Sequence, residues 1–519
     1  MADAYTRTTR RLGACEASSG AGAVYLASGL AEAFASSIPL LAITTDNNRR
    51  SRGTAAISEV DQEQLFTSCT KWRRSATRAA DIPLLVEEAV TVASRGRPGP
   101  VLLILPEDIL EDRATKDDAN GAAVSRTVLP GHRPLAAPDA VSRAAAQLSS
   151  AQHPVIVAGG GTHLSGAGDE LTRIAEHLAM PVATTIHGKG IVDETHPLSL
   201  GVIGSNGARD YANAWVADSD CVLFVGTRAN ATDTLGFTVP ARSGPKIIHI
   251  DTDAERAGRN YAGSIALVGD AKVTLAELRT RVPETPESAR TRRAARLSAA
   301  REKWAQQDER SSSALESGVL FPREVVRALH DSFGREAWVV ADAGTPTPYL
   351  SCYWEAAGNG WRVVIPRGHG PMGFAVPASI GIAVGHPGER ILCLTTENSL
   401  AMSVAEWETA KRLRLPVTYV VMDNTSMAWI KMIQHLYAGG RYFAVDPGPI
   451  DPVLLGRGMG LTGARARSID EFAALAKIAA ESDEPSLIHV RVPEHMDVPP
   501  PVPAWHAALS GQSEDRPIH

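Results

Sequence analysis

Two short apolar runs, each ending in a polar turn, constrain this chain more than any other feature. Ile391-Leu392-Cys393-Leu394 runs into Thr395-Thr396-Glu397-Asn398-Ser399, and Val417 to Met422 runs into Asp423-Asn424-Thr425-Ser426. Between them, Met402 to Arg414 has helical spacing, which predicts two parallel strands joined by a crossover helix. Such strands bring their carboxyl-end turns side by side, where open α/β sheets bind ligands. The Glu397 carboxylate, the Asn424 amide and the turn carbonyls would then form an all-oxygen set suited to Mg²⁺ with a phosphate ligand. The same residues also suit an ordinary βαβ unit with polar turns.

The alternation of strand and helix runs through the chain. Residues 1–113 offer apolar strands at Pro39 to Thr44 and Pro100 to Pro106, with a helix across Ile82 to Ser94. A second series begins at Pro154 to Gly161 and has further strands at Pro181 to Thr184, Cys221 to Gly226 and Lys246 to Asp251. A third begins at Ala337-Trp338-Val339-Val340. Near-continuous apolar strands separated by helices predict an α/β protein with doubly wound parallel sheets covered on both faces. The expected domains are 1–115, 137–283 and 318–497, with a polar, Gly/Pro-rich linker at 114–136. Residues 283–318 read as a charged, solvated connector, helical in places and broken at Ser311-Ser312-Ser313, and 498–519 as a flexible tail. Gly159-Gly160-Gly161 after a strand suits a dinucleotide, or simply a tight turn.

A formal charge of −6 gives no reason to expect nucleic acid. Cys15, Cys69, Cys221, Cys352 and Cys393 are scattered without a paired motif, which predicts reduced thiols and a cytoplasmic protein. No apolar run reaches the ~18 residues of a spanning helix, so no membrane association is expected.

The opening pair of turns resembles the thiamine diphosphate motif, in which Gly-Asp-Gly-Ser is followed by an Asn-Asn pair. Here 27 residues separate Glu397 from Asn424. The resemblance puts Glu397 at the Asp position, Asn424 at the amide ligand and Ser426 at the carbonyl ligand of the metal, with Asn398 and Ser399 beside the cofactor. Both glycines of the motif are replaced, by Thr396 and Asn398.

The whole chain resembles the acetolactate synthase-like branch of the thiamine diphosphate enzymes. Met1 to Arg7 is similar to its Met-Ala-Asp-Gly-Tyr-Ala-Arg, Ser19 to Gly22 to Ser-Gly-Pro-Gly, and Arg97 to Val101 matches strongly. Residues 367–378 are similar to Gly-x-Met-Gly-Phe-Gly-Leu-Pro-Ala. This resemblance implies pyrimidine-binding, middle and diphosphate-binding domains, with Gly344 and Thr345 near the diphosphate. It also puts the backbone of Gly370 and Met372 at the aminopyrimidine, where the Met372 side chain would bend the cofactor into a V. Ser58, His369, Ile433 and Gln434 would line the substrate pocket; Ser58 and Ile433 stand where the family has Gln and Trp, which implies a different acceptor. His369 also suits a structural role.

In the family, FAD has a non-redox role in the middle domain. Here Arg228 is kept but Asp-Asp-Arg becomes Ala231-Thr232-Asp233, and Gly204 to Gly207 departs from Gly-Met-His-Gly, which puts FAD in doubt. The family's catalytic Glu would lie upstream of Met1. By the usual domain length this implies either a start placed ~45–50 residues late or a chain that has lost the function. The expected activity is decarboxylation of a 2-oxo acid, with or without carboligation, in a homodimer or homotetramer. The rival is a non-catalytic homologue kept for assembly or regulation.

Overall fold

The computed structural model describes residues 1–113, 128–207, 209–310, 315–358 and 360–512. Three parallel sheets flanked by helices carry the fold, as the alternating apolar runs predict. The chain separates into two compact units, one of Met1–Arg133 with Pro366–Pro371, the other of Pro134–Ile365 with Met372–His519. Part of the expected linker (114–127), the expected break at Ser311-Ser312-Ser313 and residues 513–519 lie outside the described residues. Among the described residues, no helix is long and apolar enough to cross a membrane.

The first unit holds a four-stranded sheet in the order Gly13–Ala17, Leu40–Asp46, Val101–Pro106, Trp72–Ser75. Its two central strands are the apolar ones; Val101, Leu102 and Leu103 are fully buried. Gly13–Ala17 lies at an edge and alternates buried with exposed positions. Met1 precedes the helix Ala2–Thr9, which buries Asp3, Ala4, Thr6 and Arg7.

The second unit holds two six-stranded sheets. One runs Ile265–Val268, Lys246–Asp251, Cys221–Val225, Pro154–Ala158, Val182–Thr184, Ser199–Val202. The glycines after Pro154–Ala158 serve backbone packing: a Cβ on Gly159 or Gly161 would press within 3 Å of the Gly226 backbone. The other sheet runs Val363–Val364, Trp338–Ala341, Ile391–Thr396, Val417–Asp423, Ser486–Arg491, Thr462–Ala466. Here the chain leaves Trp338–Ala341 toward one side and returns at Ile391–Thr396 on the other. That reversal is a topological switch point, and the carboxyl ends of these two strands are where open α/β sheets bind ligands.

Three expectations are corrected. The helix expected over Met402 to Arg414 is shorter, Glu406–Arg412, and the expected polar turn at Glu397 opens a helix of its own, Glu397–Ala401. The connector is the long helix Glu287–Arg310, and it is docked: Leu297 is 1% exposed, and Arg290 and Arg293 donate to the carbonyls of Glu176, His177 and Leu178. The tail contains the helix Pro503–Leu509, whose Trp505 is buried against Met432 and Val502. In the connector and the tail a few apolar or arginine side chains settle a segment whose average composition reads as solvated.

Candidate cofactor site

The register pairs Thr396 with Met422, so Glu397 and Asp423-Asn424 emerge together from neighbouring strands. Thr396 stays extended (φ −112°, ψ 164°) and caps the helix Glu397–Ala401, its Oγ1 accepting from the Ser399 N–H at 3.4 Å. Loss of the two motif glycines therefore costs no left-handed strain, since neither Thr396 nor Asn398 has a positive φ. The strain sits instead at Thr425, with φ +56°. Thr425→Gly is expected to stabilise the protein by about 0.5–1 kcal/mol, relief of a left-handed β-branched residue outweighing the freer unfolded chain. A denaturant midpoint that fails to rise would contradict this.

Glu397 is 4% exposed. Its Oε1 accepts from Asn398 Nδ2 at 3.0 Å, while Oε2 is buried and meets no donor among the described residues. Burial, with the charge of Asp423 second, pushes this carboxyl up to about 8. Asp423 itself is engaged elsewhere, Oδ2 with His489 Nε2 at 2.9 Å and Oδ1 with the Thr425 N–H at 2.9 Å. Burial would raise it, but these hydrogen bonds prevail and hold it below the usual carboxylate range.

One amide atom of Asn424 lies 2.8 Å from Ser426 O and 3.3 Å from Glu397 Oε1; the other lies 3.2 Å from Thr345 Oγ1. The amide can sit either way round. With nitrogen inward it donates to both oxygens. With oxygen inward, it stands 2.8 Å from Ser426 O and 3.3 Å from Glu397 Oε1, near the separation of adjacent ligands in an octahedral shell, about 2.9 Å for bonds of 2.0–2.1 Å. Asn398 Nδ2 holds two of them, donating to Glu397 Oε1 and to Ser426 O at 3.1 Å. Among the described residues no three His, Cys, Asp or Glu side chains gather to share a metal ion. A cation bound here would thus take one carboxylate, one amide and one carbonyl, the donor set of a small hard dication.

Further unsatisfied groups surround this point. Ser399 Oγ and Ser426 Oγ are buried without partners among the described residues. Gly344, at φ +144°, has nothing within 4 Å of where a Cβ would stand. Thr345 is 3% exposed and its Oγ1 meets His495 Nε2 at 3.1 Å. Burial pushes His495 down to about 3, and its Nδ1 is a buried atom with no partner among the described residues. Sequence reasoning missed His495, a lone histidine in a proline-rich segment. It also missed Asp342, fully buried, whose Oδ2 accepts from Thr395 Oγ1 at 2.6 Å and whose Oδ1 accepts from the Ala375 N–H at 3.0 Å. Burial, opposed by these bonds, pushes Asp342 up to about 6.

The other expected residues fall in separate places. Met372 is partly exposed, and a Cβ on its neighbour Gly373 would stand 3.0 Å from Met402 Cβ and 3.3 Å from Ser399 O. Ile433 packs with Met432 against Val502 and Trp505. Gln434 spends its amide on a loop, donating to Phe443 O at 3.1 Å and accepting from the Phe443 N–H at 2.8 Å. In the first unit, Ser58 is exposed with φ +69°, so close to Gly20 that a Cβ there would stand 2.6 Å from Ser58 Cβ. His369 is exposed and Gly370 has φ +77°.

Three family models match: thiamine pyrophosphate enzyme, N-terminal TPP binding domain, over residues 1–65; central domain, over 141–278; and C-terminal TPP binding domain, over 342–490. The chain is 30% identical to the probable acetolactate synthase large subunit of Methanococcus aeolicus, covering 94% of this chain and 82% of that protein. It is also 31% identical to the acetolactate synthase large subunit of Parasynechococcus marenigrum, covering 97% and 80%.

Proposed function

Because the chain belongs to the acetolactate synthase-like branch of the thiamine pyrophosphate enzymes, we propose that it binds thiamine diphosphate with Mg²⁺ and acts on a 2-oxo acid. The observation that carries this reading is the convergence of one Asn424 amide atom, Ser426 O and the Glu397 carboxylate at the switch point of the sheet. Bound there, the cofactor supplies the carbanion chemistry of decarboxylation and carboligation. The chain supplies the rest. Glu397, Asn424 and Ser426 would hold Mg²⁺, and Thr345, Gly344 and Ser399 would face the diphosphate. We read the loop Pro366–Pro371 as presenting the Gly370 backbone to the aminopyrimidine, with Met372 as the wedge beside it.

The orphaned Glu397 Oε2 and Ser426 Oγ fit such a ligand, because a carboxyl this buried is ionised only when a cation compensates it. The non-catalytic alternative finds no support in the matched domains or relatives. The small Ile433 supports an acceptor other than that of the orthodox enzymes. Trp361, from the third domain, stacks on His163 of the middle domain at 5.0 Å and reaches within 3.2 Å of where a Gly160 Cβ would stand. That crowding supports a protein without FAD, which flavin absorbance of the purified protein tests. The five cysteines are free, which supports a reducing, cytoplasmic setting. A homodimer or homotetramer goes with this reading and is checked by molecular mass in solution.

The test of function is release of CO₂ from a panel of 2-oxo acids, with and without a second carbonyl compound, in the presence of thiamine diphosphate and Mg²⁺. Turnover that needs both supports the reading. A folded protein that binds the cofactor and turns over none of the panel would favour the non-catalytic homologue.

A further inference from the structure

The first unit contains a buried carboxylate that the motifs do not account for. Glu32, on the helix Ala21–Ser36, is fully buried. Its Oε1 accepts from Arg7 Nη2 at 3.0 Å, Ser36 Oγ at 2.6 Å and the Gly368 N–H at 3.2 Å. Its Oε2 accepts from the His369 N–H at 2.6 Å and the Gly370 N–H at 3.0 Å. Three successive backbone N–H groups thus close on one carboxylate as an anion nest. The loop they belong to, Pro366–Pro371, has no helix or strand of its own to satisfy them. The approach is tight, since a Cβ on Gly368 would stand 2.3 Å from Ser36 Oγ. Behind Glu32, Arg7 is fixed by Asp3, with Nε to Oδ1 at 2.6 Å. The buried triad Asp3-Arg7-Glu32 therefore gives a physical reason for the acidic and basic residues of the first helix.

We infer that Glu32 is a positioning residue for the cofactor: its carboxylate fixes the nest of Gly368, His369 and Gly370 and so sets the backbone that faces the aminopyrimidine. This rests on the cofactor reading above. Because Glu32 takes the Gly370 N–H, that residue's carbonyl is left as the group to meet the ring. A carboxylate can accept all five donors; a glutamine amide turns two N–H bonds of its own toward them.

The experiment compares thiamine diphosphate with inorganic diphosphate, each with Mg²⁺, by calorimetric titration of the full chain and of Glu32→Gln. Inorganic diphosphate lacks the ring and reports only the diphosphate and metal groups. We expect Glu32→Gln to weaken thiamine diphosphate about 10-fold or more and inorganic diphosphate by less than about 2-fold. Backbone amides 368–370 should also lose hydrogen-exchange protection. Ser36→Ala, which removes one donor and keeps the carboxylate, should show the same pattern at about 3-fold and serves should the Gln variant not fold. Equal weakening of both ligands would overturn the inference in favour of a purely structural role. So would unchanged thiamine diphosphate binding by either folded variant while the wild type binds. A wild type that binds no thiamine diphosphate would instead sink the cofactor reading, and this inference with it.

Discussion

Titrated with thiamine diphosphate and Mg²⁺, the Glu397→Gln protein is expected to show no heat of binding at concentrations that saturate the wild type, a loss of about 100-fold or more. Gln keeps the length and one oxygen but not the charge that a dication in this buried site needs. The same substitution should raise the stability of the metal-free protein at alkaline pH. Burial and the neighbouring Asp423 hold the Glu397 carboxyl at about 8 in the fold, against 4.5 ordinarily. Between those values the folded state keeps a proton that the unfolded chain has released. The stabilisation is therefore full below about pH 4.5 and lost as pH rises toward 8, by at most about 3–5 kcal/mol. Wild-type thermal midpoints without Mg²⁺ should fall across this window, those of Glu397→Gln should stay flatter, and Mg²⁺ should restore the wild type alone. A variant that binds the cofactor undiminished would remove Glu397 from the metal site.

How much of this was legible follows from where the information lies along the chain. Strands such as Val101–Pro106 and Ile391–Thr396 are readable because four or five consecutive apolar residues bounded by turns leave few other solutions. Glu397 and Asn424 are readable as a pair because the ends of neighbouring parallel strands are fixed by the crossover rule. Thr396 misleads at the level of motif: a position that carries glycine elsewhere need not demand positive φ, and threonine serves here as an extended cap. His495 and Asp342 are not readable, because each acts through hydrogen bonds to residues far along the chain that no local period announces. Glu32 is the extreme case: the backbone N–H groups it holds lie more than 330 residues away, and a single acidic residue in an apolar helix looks like a solvent-facing charge. Ile433 and Gln434 show the converse limit. Alignment gives their position on a helix, but the packing of Trp505 and the loop at Phe443 decide what their side chains do.

Removal of Lys189 is expected to produce the largest loss of stability, about 3–5 kcal/mol. Lys189 is fully buried, and its Nζ donates to Glu194 Oε2 at 2.5 Å and to Trp354 O at 2.7 Å. The same Glu194 oxygen accepts from the Ala356 N–H at 2.9 Å. Burial pulls the Lys189 ammonium below its ordinary value, and Glu194 opposes that pull. Lys189→Ala leaves the Glu194 charge in a dry site with only a backbone N–H, a cost that truncation of an exposed pair would not incur. The pair joins the segment 189–194 to 354–356, just past the helix Pro346–Tyr353, whose N-cap is Thr345. Loosening that end should therefore also weaken binding of Mg²⁺ and thiamine diphosphate several-fold, through Thr345. Lys189→Met combined with Glu194→Leu removes both charges and keeps the volume, so its denaturant midpoint should return to within about 1 kcal/mol of wild type. If the double variant is as unstable as Lys189→Ala, the backbone bonds to Trp354 and Ala356 hold the two segments together, and the charges do not.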